Sequence, residues 1–202
     1  MFLFLYYIYT NPPLIWWVCV FKGELIISKR NEGKIFEDAF IKSVPDYCWH
    51  KRLNDNASSW ANGTKTRFTS TNECDFLIND FKRNTFYALE LKTTKGSLTF
   101  WRKDFEIKDK KQSFQIKKNQ ILGLQKWSKF CMNCGFIINF RECNNRTFFV
   151  DIGEFVDYTS AISKKSINID DVLNMNPIEI ESKLLKVNYK YLLDAFLENA
   201  KL

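Results

Sequence analysis

The sequence predicts a mixed α/β fold: a central mixed β-sheet flanked by helices. Three observations carry this. The stretch Glu73 to Lys92, E-C-D-F-L-I-N-D-F-K-R-N-T-F-Y-A-L-E-L-K, reads as two apolar strands around a polar turn, Asn79 to Asn84. A second hairpin follows: Gly135 to Arg141, then Arg146 to Ile152, around a polar turn at 142–145. Helical periodicity precedes, separates and follows these strands, which gives helix, strands, helix, two strands, helix.

The 202 residues suffice for one domain with a real core. A hydrophobic share of 46% and a charged share of 26% are those of a globular protein, not of a disordered or fibrous chain. The net charge of +7 favours a polyanionic partner. Cysteines at 19, 48, 74, 131, 134 and 143 do not space like a secreted disulfide framework, so reduced thiols and a cytoplasmic location are expected. Cys131-x-x-Cys134 with Cys143 invites a zinc reading. With His50 as the single histidine and no second C-x-x-C, a closed four-ligand site is poorly supplied.

Residues 1–21 carry no charge and approach the length of a membrane span, but Thr10 to Pro13 break the run into halves too short to cross. Neither the basic start nor the small-residue cleavage site of a signal peptide is present. A partner-covered segment, a poor membrane anchor and an upstream extension all remain open. The extension, residues 1–27, is preferred because the organised pattern begins near Ile27, and a membrane partner is not expected.

Residues 33–44 read as an amphipathic helix with Ile35 or Phe36, Ala39, Phe40 and Val44 on its buried stripe and Pro45 as its stop. Glu37 lies close to that stripe and by itself reads as a solvated helix acid. Residues 46–72 interleave Trp49, Trp60 and Phe68 with Arg52, Lys65 and Arg67. This irregular or hairpin excursion suits phosphates and unstacked bases, or equally a surface loop packed down by its tryptophans.

After Lys92, T-T-K-G-S makes a polar turn with Lys95 in it; it matches no Walker pattern. From Arg102 to Lys129 nine basic residues face three acids, and 102–113 read as an exposed charged loop. Residues 116–130 read as a helix with Ile116, Gln120, Leu124 and Trp127 along one side and Lys117 and Lys118 near its start. A further helix is predicted at 153–162. Beyond Lys164-Lys165-Ser166-Ile167, the tail 171–202 is predicted to be helical, at about 177–186 and 189–199. It carries four lysines against six acids over 170–202, a balance suited to packing.

The chemistry gathers on the first hairpin. Side chains alternate across a sheet, so Glu90 and Lys92 share a face, and pairing around the turn brings Asp75 near them. Two carboxylates and an ammonium at one sheet edge can hold a divalent metal and a water. Taken alone, the same cluster reads as a surface ion-pair network.

The order Asp75, then Glu90-Leu91-Lys92, resembles the PD-(D/E)xK nuclease superfamily. The blocks G-K-x-F-E at 33–37, C-D-F at 74–76, L-E-L-K-T-T-K-G at 89–96, the Gln120 helix, G-F-I-I-N-F-R and K-K-S-I resemble the RecU-like Holliday junction resolvases over roughly residues 28–170. Cys74 stands where the superfamily pattern has proline. The resemblance implies a restriction-endonuclease-like fold, a homodimer, and Mg²⁺- or Mn²⁺-dependent symmetric cleavage of four-way DNA junctions in recombination and repair.

By position, Asp75, Glu90 and the Leu91 carbonyl would be metal ligands. Lys92 would orient the attacking water, Glu37 would complete the acidic cluster, and Gln120 would support it. The 46–72 segment falls where the family has a DNA-contacting stalk. Arg52, Lys65, Arg67, Lys95, Lys117, Lys118, Lys164 and Lys165 would contact DNA. Two alternatives remain: a related endonuclease of other DNA specificity, and a non-catalytic DNA-binding protein. The complete Asp-Glu-Lys set argues against the second.

Overall fold

The structure, a computed structural model, describes residues 31–53, 72–104, 113–130 and 132–200. The N-terminal stretch 1–27, Lys65 and Arg67 of the excursion, most of the 102–113 loop, and Cys131 lie outside these residues.

Helix α1 spans Glu32–Ile41. It starts where the Asn31 side chain accepts the Lys34 backbone N–H at 3.1 Å. Its buried face is Phe36, Ala39 and Phe40, as the periodicity predicts. It stops three residues short of the predicted end: the chain turns after Ile41, ahead of Pro45, and the Ser43 hydroxyl donates to the Ala39 carbonyl at 2.8 Å.

The excursion begins as regular structure. Strand β1, Cys48–Arg52, pairs antiparallel with β2, Phe76–Asp80. Strand β2 pairs antiparallel with β3, Thr85–Thr94. The turn between them is tighter than predicted, because Asn79 and Asp80 belong to the strand. Asp80 is fully buried, and its carboxylate accepts the backbone N–H groups of Lys82 (2.9 Å) and Arg83 (3.2 Å) and pairs with the Arg83 guanidinium at 2.8 Å. Asn84 completes the turn with φ 50°, a conformation asparagine tolerates better than most residues.

The chain then makes β4 (Leu98–Thr99), α2 (Lys118–Ser128) and β5 (Asn133–Phe140). Strand β5 lies parallel to β3, and β6 (Arg146–Asp151) returns antiparallel to it. Helix α3 (Ile152–Ala161), β7 (Ser166–Ile167) and a one-turn α4 (Ile169–Leu173) follow. The β7 strand pairs with β4.

The predicted tail helix at 177–186 is corrected. Those residues form β8 (Ile178–Ile180) and β9 (Ser182–Leu184), while Tyr189–Tyr191 forms β10 and helix α5 begins only at Leu193, ending at Asn199. The open edge of β6 decides this. Phe149 pairs with Ile178 and Thr147 with Ile180, and between them Arg146 grips Glu179 through two bonds of 2.8 Å. Ile-Glu-Ile is an alternating strand pattern that a helical reading overrides only while no edge is in view.

The main sheet therefore runs β1-β2-β3-β5-β6-β8, mixed, with its one parallel pair at β3 and β5. Ala88, Phe136, Ile138, Phe148 and Val150 meet α2 and α3 on one face. Phe76, Ile78, Tyr87, Leu89, Leu91, Ile137 and Phe149 pack with Phe36 and Phe40 of α1 and Phe196 and Leu197 of α5 on the other. Covered on both sides, β5 is buried along all its residues, which is why G-F-I-I-N-F is apolar except at Asn139. The mixed sheet flanked by helices is the predicted fold class. Among the described residues no helix is long and apolar enough to cross a membrane.

Gly135 lies on β5 tight against β6. A Cβ there would stand 2.2 Å from the Val150 carbonyl oxygen and 2.7 Å from the Phe149 ring, whereas one at Gly96 meets nothing. Gly135→Ala should cost about 2–4 kcal/mol in urea unfolding. Gly96→Ala should stay within about 0.5 kcal/mol of the wild type. Equal stabilities would contradict the close packing of these strands.

Candidate metal-dependent site at the open end of β3

Strand β2 begins at Phe76, which faces Leu89, while β3 runs past that point to Thr94. From Glu90 onward β3 keeps its β5 neighbour but has no β2 residue beside it. Asp75 fills the first place. Its backbone N–H donates to the Leu89 carbonyl at 3.0 Å, and its carboxylate Oδ2 accepts the Leu91 N–H at 2.8 Å. A side chain thus takes over a ladder bond. A residue's N–H and C=O point to the same side of a strand, so the Leu91 carbonyl faces the same opening.

Glu90 lies on the α2 face of β3 and is 2% exposed. Its Oε1 accepts from the Lys92 ammonium at 2.7 Å and from the Gln120 side-chain N–H. Gln120 is held at both ends: its Oε1 also accepts the Lys117 backbone N–H at 2.9 Å, at the start of α2. That bond fixes which end of the amide faces Glu90. Burial pushes the Glu90 carboxyl up to about 8; the Lys92 ammonium opposes the rise and the Asp75 charge adds to it. The Glu90 and Asp75 side chains share a hydrogen bond. Two carboxyls therefore stand against one another here, with the Lys92 ammonium bonded to Glu90.

Glu37 arrives from α1, the helical layer on the other face of the sheet. Burial raises its carboxyl above the ordinary range, and Asp75 is the next cause, so the two acids feel one another. Arg52 of β1 pairs with Glu37 and opposes the rise. Next to Asp75, the Cys74 thiol is buried and pushed up to about 12 by desolvation, then by Glu90 and Asp75. It fills the core as a neutral group.

Asp75, Glu90, Lys92 and Gln120 therefore meet directly, and Glu37 joins through Asp75. The basic residues scatter. Lys95 is exposed and pairs with Glu142 at 3.2 Å. Lys164 pairs with Asp171 at 2.7 Å, and Lys165 is exposed ahead of β7. Lys117 and Lys118 are exposed at the start of α2, with the Lys118 ammonium 5.1 Å from the centre of the Trp101 ring. Arg52 was expected on a DNA-facing excursion; it sits on β1 and its near partners are Glu37 and Asp38.

Sequence reading passed over the polar row at this end of the sheet. The Thr93 hydroxyl donates to Asn139 Oδ1 at 2.9 Å, and Asn139 Nδ2 reaches Asn145 Oδ1 and Thr147 Oγ1, each at 2.9 Å. Asn139 alone among the apolar residues of G-F-I-I-N-F was the available signal.

Among the described residues no group of three or more His, Cys, Asp or Glu side chains is placed as a ready metal cage. Mg²⁺ and Mn²⁺ do not need one. Mg²⁺ binds through one or two carboxylates, keeps waters, and takes further oxygens from a phosphate substrate. Asp75 and Glu90, whose charges oppose one another, with the Leu91 carbonyl beside them, are a donor set of that kind.

No protein-family model matches the chain. A curated relative is the SPbeta prophage-derived uncharacterized protein YotM of Bacillus subtilis (strain 168), 29% identical over 181 residues, 82% of this chain and 84% of the relative. Among solved structures, the chain is similar to Archaeoglobus fulgidus Hjc, a Holliday junction resolvase, at a TM-score of 0.41 and 11% identity, over 69% of this chain and 90% of that one.

The raised Glu90 carboxyl has a measurable cost. The folded state holds a proton that the unfolded chain, near its ordinary 4.5, releases. The stability this proton brings is complete below that value and is lost as pH rises through about 8. Glu90→Gln keeps an acceptor for Gln120 and removes the titration. In chelator, the wild type should lose on the order of 2 kcal/mol relative to Glu90→Gln between about pH 5 and about pH 9. Parallel unfolding curves across that range would mean that Glu90 is charged throughout.

Proposed function

We infer that this chain is a metal-dependent endodeoxyribonuclease with a restriction-endonuclease-like core, acting as a homodimer on four-way DNA junctions. The observation that supports the chemistry is the Asp75–Glu90 carboxyl pair with Lys92 against it at the open end of β3. The junction substrate and the dimer rest on the series of blocks from G-K-x-F-E to K-K-S-I. The basic net charge of +7 agrees with a polyanionic substrate.

Asp75 and Glu90, with the Leu91 carbonyl, would hold Mg²⁺ or Mn²⁺. Once bound, the metal supplies Lewis acidity toward the scissile phosphate and toward a water. The protein's own groups do the rest. The Leu91 N–H holds the Asp75 carboxylate at the open end of β3. Gln120 anchors Glu90 from α2. Lys92 places a positive charge where a water would be oriented and where negative charge develops on phosphorus oxygens. Glu37 adds negative potential from the opposite layer and is itself restrained by Arg52.

The test is cleavage of a synthetic four-way junction against a matched linear duplex, with Mg²⁺ and with chelator. Paired, metal-dependent nicks on the junction are expected. Asp75→Asn and Lys92→Ala should each lower the rate by about 100-fold or more while junction binding persists. Gln120→Ala, which only loosens Glu90, should cost about 10-fold. Equal cutting of the linear duplex would replace the junction with a broader DNA substrate. Tight junction binding without any cutting would remove the catalytic assignment.

A further inference from the structure

The β9–β10 hairpin carries a surface that the site above does not use. Its ladder pairs Ser182 with Tyr191, Lys183 with Lys190 and Leu184 with Tyr189, and the Leu185 N–H donates to the Asn188 carbonyl at 2.8 Å to close the tip. Tyr191 is buried against Phe36 and Phe40 of α1, so the base is anchored. The tip is not. Leu184 is 59%, Leu185 51% and Val187 72% exposed. Three large exposed aliphatic side chains at one hairpin tip are costly in water and suit a contact surface.

The charge around them points to the partner. From Ser182 to Tyr191 the hairpin holds Lys183, Lys186 and Lys190 and no acid. Lys183 and Lys190 stand directly opposite one another, an arrangement that destabilises a bare hairpin and that an anion between them relieves. None of the three makes an ion pair among the described residues.

The hairpin's place in the fold supplies the geometry. Thr147 pairs with Asn139 on one side and Ile180 on the other, and Asn139 pairs with Thr93, so Ser182 lies beyond the same end of the sheet as Thr93 and Thr94. A hydrogen-bond chain joins the two places. Thr93 bonds Asn139, Asn139 bonds Asn145, and Asn145 Nδ2 donates to the Ser182 hydroxyl at 3.3 Å.

We propose that the β9–β10 hairpin is a DNA-binding wing: its lysines hold backbone phosphates while Leu184, Leu185 and Val187 wedge against base steps near the branch. Apolar wedges of this kind unstack base pairs when flanking cations bind the backbone. The inference rests on the nuclease reading for its choice of DNA over other polyanionic surfaces.

The test uses the full chain in chelator, so that binding is read without cleavage. The probes are a four-way junction with 2-aminopurine beside the branch, and anionic phosphatidylglycerol vesicles. K183E/K186E/K190E should weaken junction binding by about 10-fold or more and reduce the salt dependence by two to three phosphate contacts' worth. L184S/L185S/V187S should keep the salt dependence and lose the 2-aminopurine fluorescence rise. Val187→Ser alone, at the most exposed position, should lose part of it.

Wild-type binding and fluorescence in both triple variants would overturn the wing. So would vesicle binding by the wild type that the apolar variant loses while its junction binding stays unchanged. Cleavage assays with Mg²⁺ keep the two readings apart. Hairpin-dependent junction binding by an inactive wild type leaves the wing standing and removes the nuclease. Normal cleavage by both hairpin variants removes the wing alone.

Discussion

The structure of the candidate site depends on one substitution of a side chain for a strand. Strand β2 begins one residue after Asp75, and the Asp75 carboxylate occupies the Leu91 N–H that an earlier start of β2 would otherwise claim. This satisfies a backbone donor at the centre of the fold, where an orphan would be costly. It also fixes a carboxylate at the point where β3 loses its neighbour. Had β2 been longer, Glu90, Leu91 and Lys92 would be ordinary members of a continuous sheet.

Around that point two layers are in tension. The α2 face contributes burial: Glu90 is enclosed with Cys74, Ala88 and Leu124 nearby in the same core, and desolvation raises its proton affinity. Lys92 and Gln120 limit the cost by giving the carboxyl a cation and an amide. The α1 face contributes further negative charge through Glu37, partly offset by Arg52. A domain selected for stability alone would place few acids here, because each raises the energy of the others. Local rules broken together in one place are what single these residues out as the candidate site.

The second helical layer also ties the C-terminal segment to the first helix. Phe36 and Phe40 of α1 meet Tyr191, and Tyr87 meets Phe196 while its hydroxyl donates to the Leu197 carbonyl at 3.1 Å. The C-terminal segment is therefore part of the core that positions α1, and hence Glu37.

Much of this was legible in the chain. Phe76, Ile78, Tyr87 and Leu89 alternate and specify a hairpin; Phe36, Ala39 and Phe40 recur at helical spacing; Glu90 and Lys92, two apart on a strand, must share a face. These patterns are local, and local periodicity fixes which side of an element is buried. The sequence could therefore place Asp75 beside Glu90 and Lys92 through one short turn. It could not show that Ile178-Glu179-Ile180 completes a sheet, since that required the free edge of β6, formed some thirty residues earlier. Nor could it show that Arg52 turns to Glu37, that Gln120 spans from Lys117 to Glu90, or that burial lifts the Glu90 carboxyl. Those depend on which elements pack together and how much water they exclude, quantities that exist only once the layers have closed.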